Sequence, residues 1–154
     1  MRVGYLDGDY FLNGEDVDWS LRVSKAGYLN YTVPAAKIWH RIAVSFGGNS
    51  PLWWYFITRN RLRWTKRHLP PSVFRAVARK SICSILPPAG VFERDSSLCI
   101  KDRYWRWRTW LRLIKTPREK AAIMARFFGN YHYFGKRVGD CPRGLRKKLT
   151  LPPI

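Results

Sequence analysis

Proline residues divide the second half of the chain into segments of roughly helical length. Pro70 and Pro71 close one segment, and Pro87 and Pro88 close the next. A proline inside a helix removes a backbone hydrogen bond and clashes with the preceding turn, so each pair marks a helix end. We therefore predict helices over residues 52–68, 72–86, 100–115 and 117 to about 128, and a poorly ordered tail over residues 135–154.

Charge is distributed unevenly along the 154 residues. The chain has 29 Lys+Arg against 10 Asp+Glu, a formal net charge of +19. Five of the ten acids lie in the first 18 residues, where Arg2 is the sole base, so the remaining 136 residues carry 28 bases, five acids and a net +23. With 46% apolar residues, the chain can bury a core. The excess of bases predicts an anionic partner: nucleic acid, an anionic membrane surface or a phosphorylated substrate.

The first 18 residues, which we call the acidic front, lead into a segment with a helical pattern, and a segment with an extended pattern follows. Residues 16–26 have the pattern of a short amphipathic helix that ends at a glycine. Residues 28–33 are aromatic and β-branched and end at a proline, which is typical of a strand, and residues 37–40 form a second short extended piece. Residues 41–51 contain two glycines and a proline and are predicted to be a loop. A domain boundary is expected near residue 50.

No segment of the sequence predicts export or insertion into a membrane. The N-terminus lacks an apolar signal-peptide core, and the longest run without Lys, Arg, Asp or Glu, residues 42–58, contains two Gly and one Pro. The three cysteines, Cys83, Cys99 and Cys141, are odd in number and form no C-x-x-C pair, which favours a reducing compartment. We therefore expect a cytoplasmic protein.

Two predicted helices interleave aromatic and basic residues. On a helical wheel of residues 102–115, five apolar or aromatic side chains share one arc and three bases lie beside it. Tryptophan favours the headgroup level and arginine can reach lipid phosphate, so this pattern is typical of an interfacial helix. Residues 52–67 are similar. We predict a peripheral position on the inner face of the cell membrane, at an anionic surface; alternatively, the aromatics pack on the preceding domain and the bases are solvated.

Three residues near the front could carry chemistry. Glu15 and Asp16 are adjacent carboxylates at the mouth of the predicted helix, and His40 follows the second extended piece. An ionised carboxylate can act as a general base, and a histidine can bind a divalent metal or a phosphate. Structural alternatives remain open for each: Asp16 as an N-cap, Asp18 as a first-turn acid and His40 as a core histidine.

A longer pattern covers residues 4–40. It contains G-x-L-D-x-x-Y-F-x-x-x-E-D-V-D-W-S-L-R-x-x-x-A-G-Y, followed by a proline and a W-H pair. This arrangement closely resembles the second half of the catalytic domain of family 2 glycosyltransferases, in particular the rhamnosyltransferase-like branch, and the similarity is specific as far as about residue 68. It implies an α/β fold, with the C-terminal half of a Rossmann-like GT-A domain over residues 1–50, a basic helical region over 51–137 and a tail over 138–154.

The resemblance implies an inverting transfer of a sugar, with rhamnose as one candidate, from a nucleotide-diphosphate donor to a hydroxyl of a lipid-linked or cell-surface polysaccharide acceptor. Asp16 matches the general base, and Glu15 would position the acceptor or orient Asp16. His40 matches a residue that helps bind Mg²⁺ or Mn²⁺ and the leaving diphosphate. Asp18 and Arg22 also match family positions and are predicted to form a structural pair. The residues that match substrate-binding positions are Asp7, Asp18, Trp39, Arg59 and Asn60.

Two departures separate the sequence from the family pattern. The family's F-D-E turn is L-D-G here, around Asp7. The nucleotide-binding half with its D-x-D motif is missing, because the D-G-D of residues 7–9 occupies the position of the F-D-E turn. We therefore expect a fragment that is inactive alone, whose missing half supplies the donor site and the other metal ligands.

Two other interpretations stay open. A non-enzymatic basic module could bind anionic lipid or nucleic acid through residues 52–148, where interleaved Trp and Arg could stack on bases and pair with phosphates. The sequence contains no recognisable nucleic-acid-binding motif, so we expect no nucleic-acid partner. The chain could also be a degenerate remnant without activity.

Overall fold

The described part of the chain is all helical. A computed structural model of the protein describes residues 3–39, 50–85, 114 and 116–150; of these residues, 64% are helical and none belongs to a strand. The described helices include none that is both long and apolar enough to cross a lipid bilayer. The helices are α1 (Glu15–Lys25), α2 (Pro51–His68), α3 (Pro71–Cys83), α4 (Pro117–Phe134) and α5 (Arg143–Leu149), and a 3-10 turn, Gly8–Tyr10, precedes α1.

The expected α/β fold is wrong, because the described residues form no sheet. Residues 28–33, predicted as a strand, adopt no regular structure, and residues 37–39 are likewise irregular. Leu29 and Tyr31 are 72% and 79% exposed, so the apolar side chains of this segment pack on no core. A strand is stabilised by a hydrogen-bonded neighbour and a buried face, and the described residues provide neither. The described part of residues 1–50 therefore does not form the expected Rossmann-like half-domain.

Capping residues and prolines set the helix starts. The Ser50 hydroxyl accepts a hydrogen bond from the Trp53 N–H at 3.1 Å at the start of α2. Thr116 and Glu119 form a reciprocal capping box at the start of α4. The helices α2, α3 and α4 each have a proline in the first turn, where the missing N–H would have no intrahelical partner. These local signals explain why the helix starts could be predicted.

Three of the predicted helices are confirmed within a few residues, as α1, α2 and α3. The helix predicted from residue 117 to about residue 128 is α4, which continues through Gly129 to Phe134. The predicted helix over residues 100–115 lies almost entirely outside the described residues. The tail, predicted to be poorly ordered, contains α5, whose Leu149 is buried.

The helices α2 and α4 run side by side in the same direction. The Arg126 guanidinium lies 4.0 Å from the ring centroid of Trp54, and further along both helices Thr58 contacts Gly129. A Cβ at Gly129 would lie 2.8 Å from the Tyr55 carbonyl oxygen. Glycine stands inside α4 because the backbone of α2 occupies the space that a side chain would need.

The remaining helices pack around this pair. The helix α3 turns back along α2, and its Ser81 hydroxyl donates a hydrogen bond to Asn130 Oδ1 of α4 at 2.9 Å. The helix α1 lies near the end of α2, where Lys25 Nζ donates to the His68 carbonyl oxygen at 3.2 Å. Contacts therefore cross the domain boundary predicted near residue 50. The buried cluster of the core consists of Leu52, Tyr55, Phe56, Ala125, Cys141 and Leu149.

Candidate functional site

The loop that leads into α1 has an unusual backbone. Phe11 and Asn13 have φ values of 62° and 63°, and Gly14 has a φ of 94°. This left-handed region favours glycine, so each of the two other residues costs about 1–2 kcal/mol. A Cβ at Gly14 would also lie 3.3 Å from Trp64 Cδ1. A backbone of this kind persists where surrounding contacts hold it, and such strain clusters at functional sites.

The Asn60 carboxamide of α2 holds this loop. Asn60 is 1% exposed, and its Nδ2 lies 2.9 Å from the Tyr10 carbonyl oxygen and 2.7 Å from those of Leu12 and Asn13. Its two N–H bonds thus point into a group of three carbonyl oxygens. Because buried carbonyls need donors, one side chain provides hydrogen bonds that a helix or a sheet would otherwise supply.

Arg59, the preceding residue, completes this arrangement. Its Nε donates to Asn60 Oδ1 at 2.9 Å, its Nη2 to the Tyr10 carbonyl at 2.9 Å and its Nη1 to the Gly139 carbonyl at 2.7 Å. Arg59 is 2% exposed, and burial lowers the pKa of its guanidinium. We call Arg59 and Asn60 the carbonyl clamp. The resemblance implies that both residues bind substrate, and this stays a prediction; their hydrogen bonds in the structure hold the loop before α1 in position.

Asp18 is the centre of a second buried network. It is fully buried, and its carboxylate accepts hydrogen bonds from Arg22 Nε at 2.8 Å, His68 Nε2 at 2.7 Å and the Tyr10 hydroxyl at 3.1 Å. Arg67 Nη1 lies 3.2 Å away. The predicted pair of Asp18 and Arg22 is therefore confirmed. Burial alone would raise the pKa of Asp18, but the hydrogen bonds and the Arg67 charge outweigh it and lower the pKa below its ordinary value.

Acid is expected to weaken the fold through Asp18. Because its pKa is lower in the folded state than in the unfolded chain, the unfolded chain binds the proton more readily between the two values. The stabilisation is present above the unfolded pKa and is lost as the pH falls through the folded pKa. Urea unfolding from about pH 5 to about pH 2 measures this loss, which a single group limits to about 1.4 kcal/mol per pH unit.

The matched variant for this prediction is Asp18→Asn, which keeps the shape of the side chain and removes its titration. It should be less stable than the wild type at neutral pH, because Arg22 and Arg67 lose a buried anion. Its free energy of unfolding should also fall less steeply in acid. An acid slope as steep as that of the wild type would show that other groups cause the acid sensitivity.

Two further acids of the front are neutralised by α2. Asp7 accepts a hydrogen bond from the Asp9 N–H at 3.0 Å, which caps the 3-10 turn, and pairs with Arg67 Nη1 at 3.1 Å. Asp9 pairs with Arg63. Asp7 was predicted to bind substrate, and its carboxylate is here part of an ion-pair network between the front loop and α2.

Asp16 and Glu15 differ from these acids. Asp16 is exposed in the first turn of α1, and its Oδ1 accepts a hydrogen bond from the Val17 N–H at 2.8 Å. Across residues 3–39, 50–85 and 116–150, no Lys, Arg or His side chain pairs with it. The half-buried Glu15 has one oxygen, Oε2, that is buried and accepts no hydrogen bond from the described residues. The Asp16 carboxylate is therefore open to a ligand, whereas Glu15 Oε2 is enclosed by the protein.

The W-H pair is only partly described. Trp39 is 91% exposed, and His40 lies outside the described residues. Within the ranges the structure describes, no group of three or more His, Cys, Asp or Glu side chains could hold a metal ion.

Sequence reasoning missed the partners of the acidic front on α2: Arg63, Arg67 and His68. One sequence signal could have predicted these ion pairs. The last part of α2 is basic, and half of the acids of the chain lie in the acidic front. The hydrogen bond between Asp18 and His68 could not be predicted in this way. The two residues are 50 positions apart, and their contact depends on how α1 packs against α2.

Comparisons with protein-family models, with curated proteins and with solved structures find no match to this chain.

Proposed function

We propose that this chain supplies the acceptor-side general base of an inverting glycosyltransferase, and that Asp16 is this base. The observation that carries the proposal is the contrast among the acids of the front. Asp7, Asp9 and Asp18 are ion-paired, whereas Asp16 is exposed and has no basic partner within the described residues. A general base must be open to the proton it accepts, and the exposed Asp16 carboxylate meets this condition.

In the proposed reaction, the acceptor hydroxyl gives its proton to the Asp16 carboxylate as its oxygen attacks the anomeric carbon of the donor sugar. The bond from that carbon to the diphosphate oxygen breaks on the opposite face, and the nucleoside diphosphate leaves with the bonding electrons. The new glycosidic bond has the inverted configuration. Glu15, the residue next to Asp16, positions the acceptor or orients Asp16 in this proposal.

The carbonyl clamp supports this role by fixing where α1 begins. Proton transfer requires the base within hydrogen-bond reach of the attacking hydroxyl, and small displacements reduce the rate strongly. Asn60 fixes the carbonyls of Leu12 and Asn13, a few residues before Asp16. The hydrogen bonds from the buried carbonyl clamp hold the loop in one conformation, and this keeps the exposed Asp16 carboxylate in a defined position.

Donor and acceptor follow from the resemblance. The donor is a nucleotide-diphosphate sugar, with rhamnose as one candidate, and the acceptor is a lipid-linked or cell-surface polysaccharide. Mg²⁺ or Mn²⁺ belongs to the proposal through His40 and through ligands outside the described residues. The donor pocket is also assigned to groups outside the described residues.

We place the protein at the inner face of the cell membrane as a peripheral protein. The helix α3 buries none of its residues, and its Val73 and Ile82 are 40% and 41% exposed. The same helix carries the bases Arg75, Arg79 and Lys80. Ile82 lies on the same side of α3 as Arg75 and Arg79, and an exposed apolar residue with adjacent bases supports binding to an anionic lipid surface.

Sugar transfer by membranes tests the proposal with the protein in its native context. Membranes are prepared from the source strain, from a strain lacking the gene, and from that strain carrying the gene on a plasmid. Each is incubated with a panel of radiolabelled nucleotide sugars that includes activated rhamnose, and label in lipid-linked and polysaccharide fractions is measured. We expect one sugar to be incorporated only when the gene is present. Equal incorporation of every sugar by all three membranes would contradict the proposal.

A further inference from the structure

A cationic cleft lies between the end of α2, the start of α3 and the end of α4. Its volume is about 380 Å³, within the range of about 300–1,000 Å³ typical of small-molecule sites. Five bases and three aromatic rings line it, and none of the described acidic residues does; the bases are Arg59, Arg63, Lys66, Lys136 and Arg137. The cleft is distinct from the exposed carboxylate of Asp16, which does not line it.

The positive charges of this cleft are mostly uncompensated. Arg63 is paired with Asp9, and Arg59, as part of the carbonyl clamp, donates to backbone carbonyls. Lys66, Lys136 and Arg137 are exposed and have no carboxylate partner within the described residues. Lys66 Nζ lies 5.0 Å from the ring centroid of Phe74, a contact that leaves its charge intact. Like charges held together destabilise the fold, and a bound anion removes that repulsion.

The backbone at Lys136 is a second, independent observation. The helix α4 ends in a Schellman motif, in which the Arg137 N–H donates to the His132 carbonyl at 2.8 Å and the Lys136 N–H to the Tyr133 carbonyl at 3.0 Å. Lys136 occupies the left-handed position of this motif with a φ of 56°, although glycine is favoured there. The glycine of this turn, Gly135, stands one residue earlier in an ordinary conformation. The chain therefore keeps a strained lysine at the cleft where glycine would be more stable.

We infer that this cleft binds a diphosphate group. The three uncompensated bases match the charge of such an anion, and ammonium and guanidinium groups donate hydrogen bonds to its oxygens. The ring of Phe74 from α3 and those of Tyr133 and Phe134 from α4 can pack against an organic group attached to the diphosphate. The diphosphate can come from a nucleotide or from a lipid carrier. The inference does not depend on the proposed transfer reaction.

Calorimetric titration of the purified chain with inorganic pyrophosphate tests the inference. We expect Lys136→Gly to weaken binding about tenfold or more, because one charged contact is lost, and to raise the Tm by a few degrees, because glycine relieves the backbone strain. A merely structural role for Lys136 would not combine these two effects. Lys136→Arg keeps the charge and should bind pyrophosphate within about threefold of the wild type.

The control is Lys147→Gln, which removes the same charge from the exposed face of α5 outside the cleft. It should leave pyrophosphate binding nearly unchanged. If it weakens binding as much as Lys136→Gly, attraction by the net charge explains the binding and the inferred site is wrong. The absence of binding to the wild type at millimolar pyrophosphate would also overturn it.

Two further titrations distinguish the source of the diphosphate. Uridine diphosphate and farnesyl diphosphate are titrated under the same conditions, each with wild type and Lys136→Gly. Tighter binding of the nucleotide than of pyrophosphate assigns the site to a nucleotide, and tighter binding of the isoprenoid assigns it to a lipid carrier. In both cases the gain must depend on Lys136, and a gain that Lys136→Gly retains in full would contradict the cleft as the site.

Discussion

Replacing Asn60 by alanine is expected to lower the free energy of unfolding by about 3–5 kcal/mol. The variant leaves the carbonyls of Leu12 and Asn13 without the donor that Asn60 Nδ2 provides, and each buried unsatisfied group costs about 1–3 kcal/mol. The cavity left by the side chain adds to this loss. Urea unfolding monitored by circular dichroism measures the change.

Asn30→Ala is the matched control for this prediction. Asn30 is an exposed asparagine whose Nδ2 donates to Ser24 Oγ at 2.8 Å, so its loss should cost no more than about 1 kcal/mol. Hydrogen exchange of the amides of residues 9–14 gives a local readout: Asn60→Ala should speed their exchange and Asn30→Ala should not. Equal stability of the two variants would contradict the carbonyl clamp.

Replacing Asp16 by asparagine is expected to reduce sugar transfer about 100-fold or more without unfolding the chain. A positioned general base contributes about 10²–10⁴-fold to a rate, and asparagine cannot accept the proton. The side chain is exposed and its oxygen accepts only the Val17 N–H among the described residues. Because asparagine retains an oxygen for that bond, stability should change little. The initial rate of label incorporation by membranes from the plasmid-carrying strain measures the effect.

Glu119→Gln is the control for removing a carboxylate from a first helical turn. Glu119 completes the capping box at the start of α4, and glutamine can fill the same role. This variant should transfer sugar at the wild-type rate. A loss as large as that of Asp16→Asn would attribute the effect to charge in general and not to the base.

The sequence predicts local features of this fold well. Prolines and the caps at Ser50 and Thr116 act within one turn of their own positions, so the helix starts follow from neighbouring residues. Gly129 shows the limit of such signals. Glycine usually ends a helix, but here it lies inside α4 because the Tyr55 carbonyl of α2 needs the space. That reason exists only once the two helices are packed.

The absence of a sheet in the described residues also could not be predicted from local sequence, because it depends on contacts between distant parts of the chain. Residues 28–33 have the composition of a strand, but a strand forms only beside another strand, and composition carries no information about that neighbour. At the candidate site, the pair of Asp18 and Arg22 could be predicted because its members lie four residues apart on one helix. The hydrogen bonds from Asn60 to the Leu12 and Asn13 carbonyls could not, since they depend on where the front loop meets α2.

The decisive measurement is the initial rate of sugar transfer by membranes that contain equal amounts of the wild type, Asp16→Glu or Asp16→Asn. Glutamate keeps the carboxylate but moves it by one methylene group, so its rate should lie between the other two. We predict the order wild type, then Asp16→Glu, then Asp16→Asn, with Asp16→Asn at about 1% of the wild-type rate or less. A rate for Asp16→Asn equal to that of the wild type would contradict the assignment of Asp16 as the general base.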